Sequence, residues 1–582
     1  MVDSVRPAAD VGVAERAEAK PIAAPLASGF SPVPRVMRAI RLARSPSSLP
    51  WLLLAILLII GFVTVLTQAG RYGVTIDEPL QQVYGERVLA WYRSHGQDRS
   101  FLTKFGPELR MPEHGGIFDA VIAALQSRLP GIDPWLLRHT LTGLTGWLGV
   151  VAIALCGYEL GGPWVAFAAA LGLWLYPRYY GAIYNNPKDI PAAVTTTLAL
   201  WATLLLLKYW RQRGRALEVG VLLGLFLGVA TAIRVTTLMW CGILLILLAG
   251  WWVTHGRAAW RERRMVREVA WQGSVGGVIA GTWLLSTILL WPFVFLNPIA
   301  NLLESAQVMA HFPWDGPVLY GGVVYPATQL PTSYSLTWIG IGSPPVSLLL
   351  AALGVVLALA ELARARRVNP PLAVIALAFA VPLAAILILH SDLYDSLRQI
   401  LFLIPPLILL AAYGLVRAVH FLLRQRRAAP RWAAVALLAL TVASYAMVVA
   451  DMAALSPYEY SYFSPLVGGL PGAAGRYETD YYATCRKPAA EWLSQHYRDY
   501  TSAPQPTFYT SGVLGAKTVA PYLPASFQEN AIQPDFFIGM TRYHDDLSFP
   551  GYKTIHVVAV EGAPLCVVKI NPATIMPSPP VT

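Results

Sequence analysis

The chain has 582 residues, of which 55% are hydrophobic and only 13% charged, and its mean hydropathy is +0.50. A soluble globular domain carries about 25% charged residues. These proportions therefore exclude a soluble enzyme, a secreted disulfide scaffold and a disordered chain, and leave a polytopic α-helical membrane protein. The 44 basic and 33 acidic residues give a net charge of +11, but the placement of the basic groups reads as a topology signal, and no nucleic-acid partner is expected.

Residues 1–49 begin as an Ala/Pro-rich stretch without an apolar run and end in Arg35, Arg38, Arg41 and Arg44. This reads as a disordered basic cytoplasmic tail able to meet anionic lipid head groups. A membrane helix needs about 20 mainly apolar residues. Eleven such runs follow, near 50–68, 141–159, 164–180, 190–207, 217–233, 235–253, 270–296, 345–362, 372–389, 400–415 and 432–450. Gly161-Gly162-Pro163 alone joins the second run to the third, which predicts a tight helical hairpin. With the N-terminus inside, the four inner loops hold 17 Lys and Arg and the four short outer connections hold 4. That asymmetry sets the N-terminus in the cytoplasm and the C-terminus outside.

The membrane portion thus spans 50–450, with outer loops at 69–137 and 297–343, and an extracytoplasmic tail covers 451–582. The loop 297–343 lacks Lys and Arg and is rich in aromatics; covering a sugar site and packing on the tail suit it equally. The tail is long enough for a small domain. Its stretch 488–497 reads as a helix, and 507–509, 536–538, 554–560 and 566–570 read as strands, which predicts a small α/β domain. Cys485 and Cys566 both fall in the tail, where a disulfide and two free thiols are both compatible with the compartment. Cys156 and Cys241 lie in spans and read as inert packing residues.

Acidic residues are scarce near the outer ends of the spans, so those present carry information. Asp77 and Glu78 stand in Tyr72-Gly-Val-Thr-Ile-Asp-Glu-Pro79, just beyond the first span, with no apolar helix directly after them. Asp189 stands in Tyr184-Asn-Asn-Pro-Lys-Asp-Ile-Pro191, at the entrance to the fourth. Carboxylates in low-dielectric surroundings gain proton affinity, as a general base requires. The bland alternative for Asp189 is a helix N-cap. Lys188, Arg178, Arg234 and Arg398 emerge on the same side, and Arg398 follows His390-Ser-Asp-Leu-Tyr-Asp395. Converging cations suit a phosphate; snorkelling to lipid heads is the alternative for each alone. His114, in Arg110-Met-Pro-Glu-His-Gly-Gly-Ile-Phe118, and Asp395 are further polar candidates for substrate contact.

No phosphate-binding glycine loop and no Cys/His cluster of zinc spacing is present. Spans nearly free of acids argue against an ion or proton pathway. Group transfer from a lipid-linked phosphate fits best. A carboxylate takes the acceptor proton, cations stabilise the departing phosphate, and an oxocarbenium-like centre forms between them.

At these residues the sequence resembles the GT-C superfamily, specifically glycosyltransferase family 39, which includes protein O-mannosyltransferases and the lipid A aminoarabinose transferase. Asp77-Glu78 matches the family's acidic motif in the first outer loop, and the resemblance implies Asp77 as the base. Asp189 within Asn-Asn-Pro-Lys-Asp-Ile-Pro matches its second outer acid. Glu113-His-Gly-Gly-Ile117 is similar to a His-Pro-Pro-Leu-like stretch, with glycines in place of its prolines. Residues 312–320, 330–334, 393–398, 457–463 and 477–481 are similar to a bacterial subgroup. The resemblance implies a hexosyl- or pentosyltransferase of the bacterial plasma membrane, using a polyprenyl-phosphate sugar and a lipid, glycan or protein acceptor. In this reading Asp77, Glu78 and Asp189 are catalytic, and Lys188, Arg398, Arg234 and Arg178 hold the donor phosphate. No cofactor is certain, and a divalent metal stays open because GT-C branches differ in metal use. The competing readings are a flippase or transporter for a lipid-linked glycan, which uses the same groove and cations, and an assembly scaffold.

Overall fold

The computed structural model describes residues 48–105, 111–365 and 369–575. The basic tail, including Arg35 to Arg44, lies outside the described residues, as do Arg110, Arg366 and Arg367. Among the described residues, ten helices are long and apolar enough to cross a membrane. Helix α1 is Leu49–Gln68; two shorter helices, α2 (Glu78–Arg93) and α3 (Ile117–Arg128), fill the first loop; α4 is Pro134–Gly161. After α5 (Pro163–Trp174) and α6 (Pro177–Asn185) come α7 (Asp189–Tyr209), α8 (Arg213–Ile233), α9 (Met239–Arg261) and α10 (Met265–Leu290). Helices α11 (Pro298–Ala310) and α12 (Tyr334–Gly342) lie in the second long loop, followed by α13 (Pro345–Ala365), α14 (Pro370–Leu389), α15 (Ile404–Leu423) and α16 (Ala428–Leu455). The protein is a multi-pass membrane protein.

The third expected span differs from the sequence reading. It is split into α5 and α6, because Pro177 cannot continue the ladder of the helix before it and instead opens a new one. The hairpin before it is as expected. Asp133 caps α4 by accepting the Leu136 N–H at 2.7 Å, and Gly162, at φ 84°, ends the helix so that Pro163 can restart the chain. A helix begins directly after Asp77, but it is not an apolar one, in keeping with the sequence: α2 is largely polar.

The bundle is centred on α15 and α7. In the segment ending with α15, 83% of the most apolar stretch is buried inside the protein, against 17% for α10 and α16, which present their flanks outward. Helix α13 crosses α15 at Gly354 and Gly414; a Cβ on Gly354 would stand 2.2 Å from the Leu410 carbonyl oxygen, so only glycine permits this approach.

The tail builds the expected α/β unit. Strands β3 (Thr507–Tyr509), β4 (Gln528–Glu529), β5 (Phe536–Met540), β6 (Lys553–Val560) and β7 (Ala563–Ile570) form a sheet of order β4-β3-β5-β7-β6, after a separate hairpin of β1 (Pro317–Tyr320) and β2 (Val323–Pro326). Strand β3 pairs in parallel with β4 and β5, and the other pairings are antiparallel. Helix α17 (Arg486–His496) packs Ala489, Ala490 and Leu493 on Phe536, Ile538 and Val568. A disulfide joins Cys485 to Cys566 and decides the question the sequence left open. Cys156 is buried, whereas Cys241 is exposed.

The tail sits against the loops that carry the candidate acids. Ile76 N–H donates to the Tyr482 carbonyl at 3.0 Å, Lys487 Nζ to the Gly70 carbonyl at 2.7 Å, and Tyr72 Oη to Glu459 Oε2 at 2.8 Å. The second long loop also packs on the tail: Gly322 N–H donates to the Arg476 carbonyl at 2.9 Å and Tyr320 bridges to Tyr477.

Candidate active site

Two neighbouring carboxylates part company at the start of α2. Asp77 occupies the N-cap position but makes no capping bond; its Oδ2 accepts a hydrogen bond from Arg398 Nη1 at 2.6 Å, and its side chain stays 41% exposed. Glu78 turns into the packed interior. Its Oε2 accepts the Thr75 N–H at 2.8 Å and lies 3.2 Å from His139 Nε2. It holds the turn rather than facing open space.

Arg398 begins a chain of charges that runs into the tail. Its Nη2 lies 2.9 Å from Asp395 Oδ2. Asp395 is fully buried and also binds Arg542, whose Nη1 donates to the Tyr481 carbonyl at 2.7 Å. Arg542 Nε lies 3.9 Å from Glu478. Buried ions need such pairing, because stripping water from an isolated charge costs several kcal/mol. Asp395 is therefore a link between two arginines and is closed to a ligand by burial. Arg178 is likewise enclosed: its guanidinium lies 4.8 Å from the Trp338 ring and 4.9 Å from that of Phe463, and it donates to Ser396 Oγ. It sits against the loop carrying Asp395 and Ser396, where its charge and that of Arg398 both act on Tyr481.

On the other side of Arg398 stand Asp189, Lys188, Arg234 and His114. Asn186 caps α7 in place of Asp189: its Oδ1 accepts the Lys188 and Asp189 N–H groups at 3.1 and 2.8 Å. Its Nδ2 donates to Asp189 Oδ2 at 2.7 Å, and the other oxygen of that carboxylate binds Arg234. Arg234 follows the last residue of α8, where the backbone turns extended. Lys188, only 9% exposed, makes no ion pair or hydrogen bond through its ammonium among the described residues. Burial pushes its pKa down, while Asp119, Asp77 and Asp189 pull it up. The His114 ring lies 5.4 Å from that of Phe312. Burial and then the charges of Lys188, Arg234 and Arg398 hold it neutral, well below the usual histidine pKa. The loop that carries it is pressed on α8: a Cβ on Gly115 would stand 1.6 Å from the Ala232 carbonyl oxygen.

Asp77 corrects one expectation. Burial raises its proton affinity, as the sequence argument supposed, but the charge and hydrogen bond of Arg398, with Arg542 and Lys188 behind, outweigh it and hold the pKa below the usual aspartate value. Sequence reasoning also missed Arg542, Glu478 and Asp119. Asp119, salt-bridged to Arg138 at 2.8 Å, lies within electrostatic reach of Lys188. The only local signal was the run Tyr477-Glu-Thr-Asp-Tyr481, which holds Glu478.

Among the described residues, no group of three or more His, Cys, Asp or Glu is placed to hold a metal ion. No family profile matches the chain. No curated protein matches it either. Solved structures similar to it include ArnT from Cupriavidus metallidurans bound to undecaprenyl phosphate, at 16% identity over 92% of this chain and 100% of that one, with a TM-score of 0.47. Another is the oligosaccharyltransferase AglB from Archaeoglobus fulgidus, in complex with an inhibitory peptide and a dolichol-phosphate, at 13% identity over 82% of this chain and 59% of that one, with a TM-score of 0.49. At such identities the chemistry has to be argued from this chain's own residues.

Proposed function

We propose that the protein is an inverting GT-C glycosyltransferase, of family 39 character, that transfers a sugar from a polyprenyl-phosphate donor to an acceptor hydroxyl at the outer face of a bacterial plasma membrane. The N-terminus is then cytoplasmic and the tail 451–582 extracytoplasmic. The observation that carries the reading is Lys188, a buried ammonium without a bonded anionic partner among the described residues, beside Arg234, Arg398 and the half-exposed Asp77. In a chain with so few charges, an uncompensated cation is expensive unless an anion arrives to pair with it.

In this mechanism the donor phosphate sits among Lys188, Arg234 and Arg398. It competes with Asp77 for Arg398, and as that pair weakens the carboxylate regains the proton affinity that burial alone would give it. Donor binding thereby arms the base. Asp77 takes the proton of the acceptor hydroxyl, the oxygen attacks the sugar's anomeric carbon from the opposite face, and the bond to the lipid phosphate breaks with its electron pair on the phosphate oxygen. The cations stabilise that developing charge. Asp189, fixed by Asn186, positions Arg234. Beside Arg234, Thr196, Leu200, Thr236, Trp240, Pro382 and Phe402 line a narrow, mainly apolar cleft. The apolar lining of this cleft suits an isoprenoid chain.

The test is reconstitution of the purified protein with polyprenyl-phosphate sugars, combined with mass spectrometry of envelope glycans and lipids from cells with and without it. A mass difference of one sugar on an envelope molecule, reproduced in vitro with release of polyprenyl phosphate, is the expected result. Movement of an intact lipid-linked glycan across the bilayer with no bond broken would replace this reading with the flippase one.

A further inference from the structure

A second concavity lies beyond the chain of charges. The β1–β2 hairpin, the segment 474–479 and the turn 541–546 enclose a cavity of about 200 Å³. Glu478 lines it and is 4% exposed; the Leu319 backbone N–H faces its carboxylate, but neither oxygen has a hydrogen bond of ordinary geometry. The nearest cationic nitrogen, Arg542 Nε, is 3.9 Å away. A buried carboxyl whose hydrogen-bonding capacity is left unfilled is costly, and the cavity that Glu478 lines is large enough for a ligand to fill it. Leu319, Val324, Tyr477 and Tyr543 contribute apolar wall, and Thr541 and His544 contribute hydroxyl and imidazole. Tyr543 and His544 both hold left-handed backbone, at φ 62° and 54°, a conformation that non-glycine residues adopt only when the surroundings impose it.

The cavity is joined to the candidate active site by a row of aromatic rings. Tyr543 lies 6.0 Å from Trp314, Trp314 lies 4.4 Å from Tyr394, and Arg398 stands 5.7 Å over the Tyr394 ring. Phe312 continues the row from Tyr394 at 6.5 Å and meets His114 at 5.4 Å. Flat apolar faces beside carboxyl, hydroxyl and guanidinium groups match a sugar ring, which has apolar C–H faces and a rim of hydroxyls that donate and accept. A peptide strand would want an open sheet edge, and a lipid tail would want no carboxyl.

We infer that the Glu478 cavity and the aromatic row leading from it form a binding subsite for the glycan part of the acceptor, Glu478 accepting its hydroxyls and Tyr543 and Trp314 carrying its ring faces. This deepens the proposed function and rests on it. The acceptor would then be a carbohydrate, extended from the cavity towards Asp77. Burial pushes the Glu478 carboxyl up to about 8 against the opposing pull of Arg542, so near neutral pH it can also donate a proton to a sugar oxygen.

The experiment is saturation-transfer NMR on the full-length protein in a non-glycosidic amine-oxide detergent, with the methyl glycosides of mannose, galactose and arabinofuranose as probes. Wild type is expected to give transfer to the ring protons of at least one probe. Val324→Trp, which fills the cavity from the exposed hairpin, is expected to abolish that signal, and Glu478→Gln to reduce it at least fivefold. No transfer in the wild type, or transfer untouched by Val324→Trp, overturns the subsite. Asp77→Asn separates this inference from the reading beneath it, because that variant should lose sugar transfer while keeping the glycoside signal. A cavity that binds glycosides in a protein whose Asp77→Asn variant still transfers sugar would sink the assigned base and leave the subsite standing.

Discussion

Arg398 divides two regions of charge that are built on opposite principles. Towards the tail, Asp395, Arg542 and Glu478 are all buried, and the two arginines lock Asp395 between them. Towards the membrane bundle, Lys188 is nearly as buried but has no bonded partner among the described residues, and Asp77 keeps an open flank. In the first region Asp395 and Arg542 hold the tail to the loops, and Glu478 beside them is the one group that keeps unfilled hydrogen-bonding capacity. In the second, Arg234 and Arg398 are paired with Asp189 and Asp77, while the Lys188 ammonium has no bonded partner among the described residues; in the proposed function the donor phosphate supplies one. Charge is therefore no guide to a site by itself; the unpaired fraction of it is.

The largest effect expected from breaking this contrast is on the locked side. Arg542→Leu leaves the buried Asp395 with Arg398 as its remaining cation, and losing one partner of a buried pair costs about 3–5 kcal/mol. The variant should be recovered poorly, with a thermal midpoint far below that of the wild type; normal folding would mean that the tail is held by apolar packing alone. On the open side, Lys188→Ala should reduce transfer by about 10²-fold, the scale on which a single electrostatic stabiliser contributes. It should leave the protein folded, because no ion pair is lost. A Lys188→Ala variant that unfolds would make the lysine structural.

A finer effect concerns pH. Burial pushes the Glu478 carboxyl up to about 8, above the ordinary glutamate range, so in the interval between the two the folded state holds a proton that the unfolded chain gives up. Stability should accordingly fall as the pH rises through that interval, by at most about 1.4 kcal/mol per pH unit. Thermal unfolding monitored across it should show the decline, and Glu478→Gln should flatten it. An unchanged slope in that variant would assign the decline to another group.

The spans were legible because an apolar run of membrane length has few alternative folds, and Asp189, Lys188, Arg234 and Arg398 were legible because charge at the end of such a run stands out. The break at Pro177 was also printed in the sequence, but hydropathy averages across it. Arg542 was not readable: its partner Asp395 lies 147 residues away, and no local pattern records a pairing made only when the tail docks. The divergence of Asp77 and Glu78 was equally hidden. They are adjacent in the chain, and what separates them is His139, a residue of α4 that folding brings beneath Glu78 alone.

The most direct measurement is sugar transfer by Asp77→Asn alongside its binding of polyprenyl phosphate. The account predicts a loss of at least about 10²-fold in turnover, as for removal of a general base, with lipid-phosphate binding kept or tightened because Arg398 is freed from its carboxylate. Near-normal turnover with binding intact would contradict it.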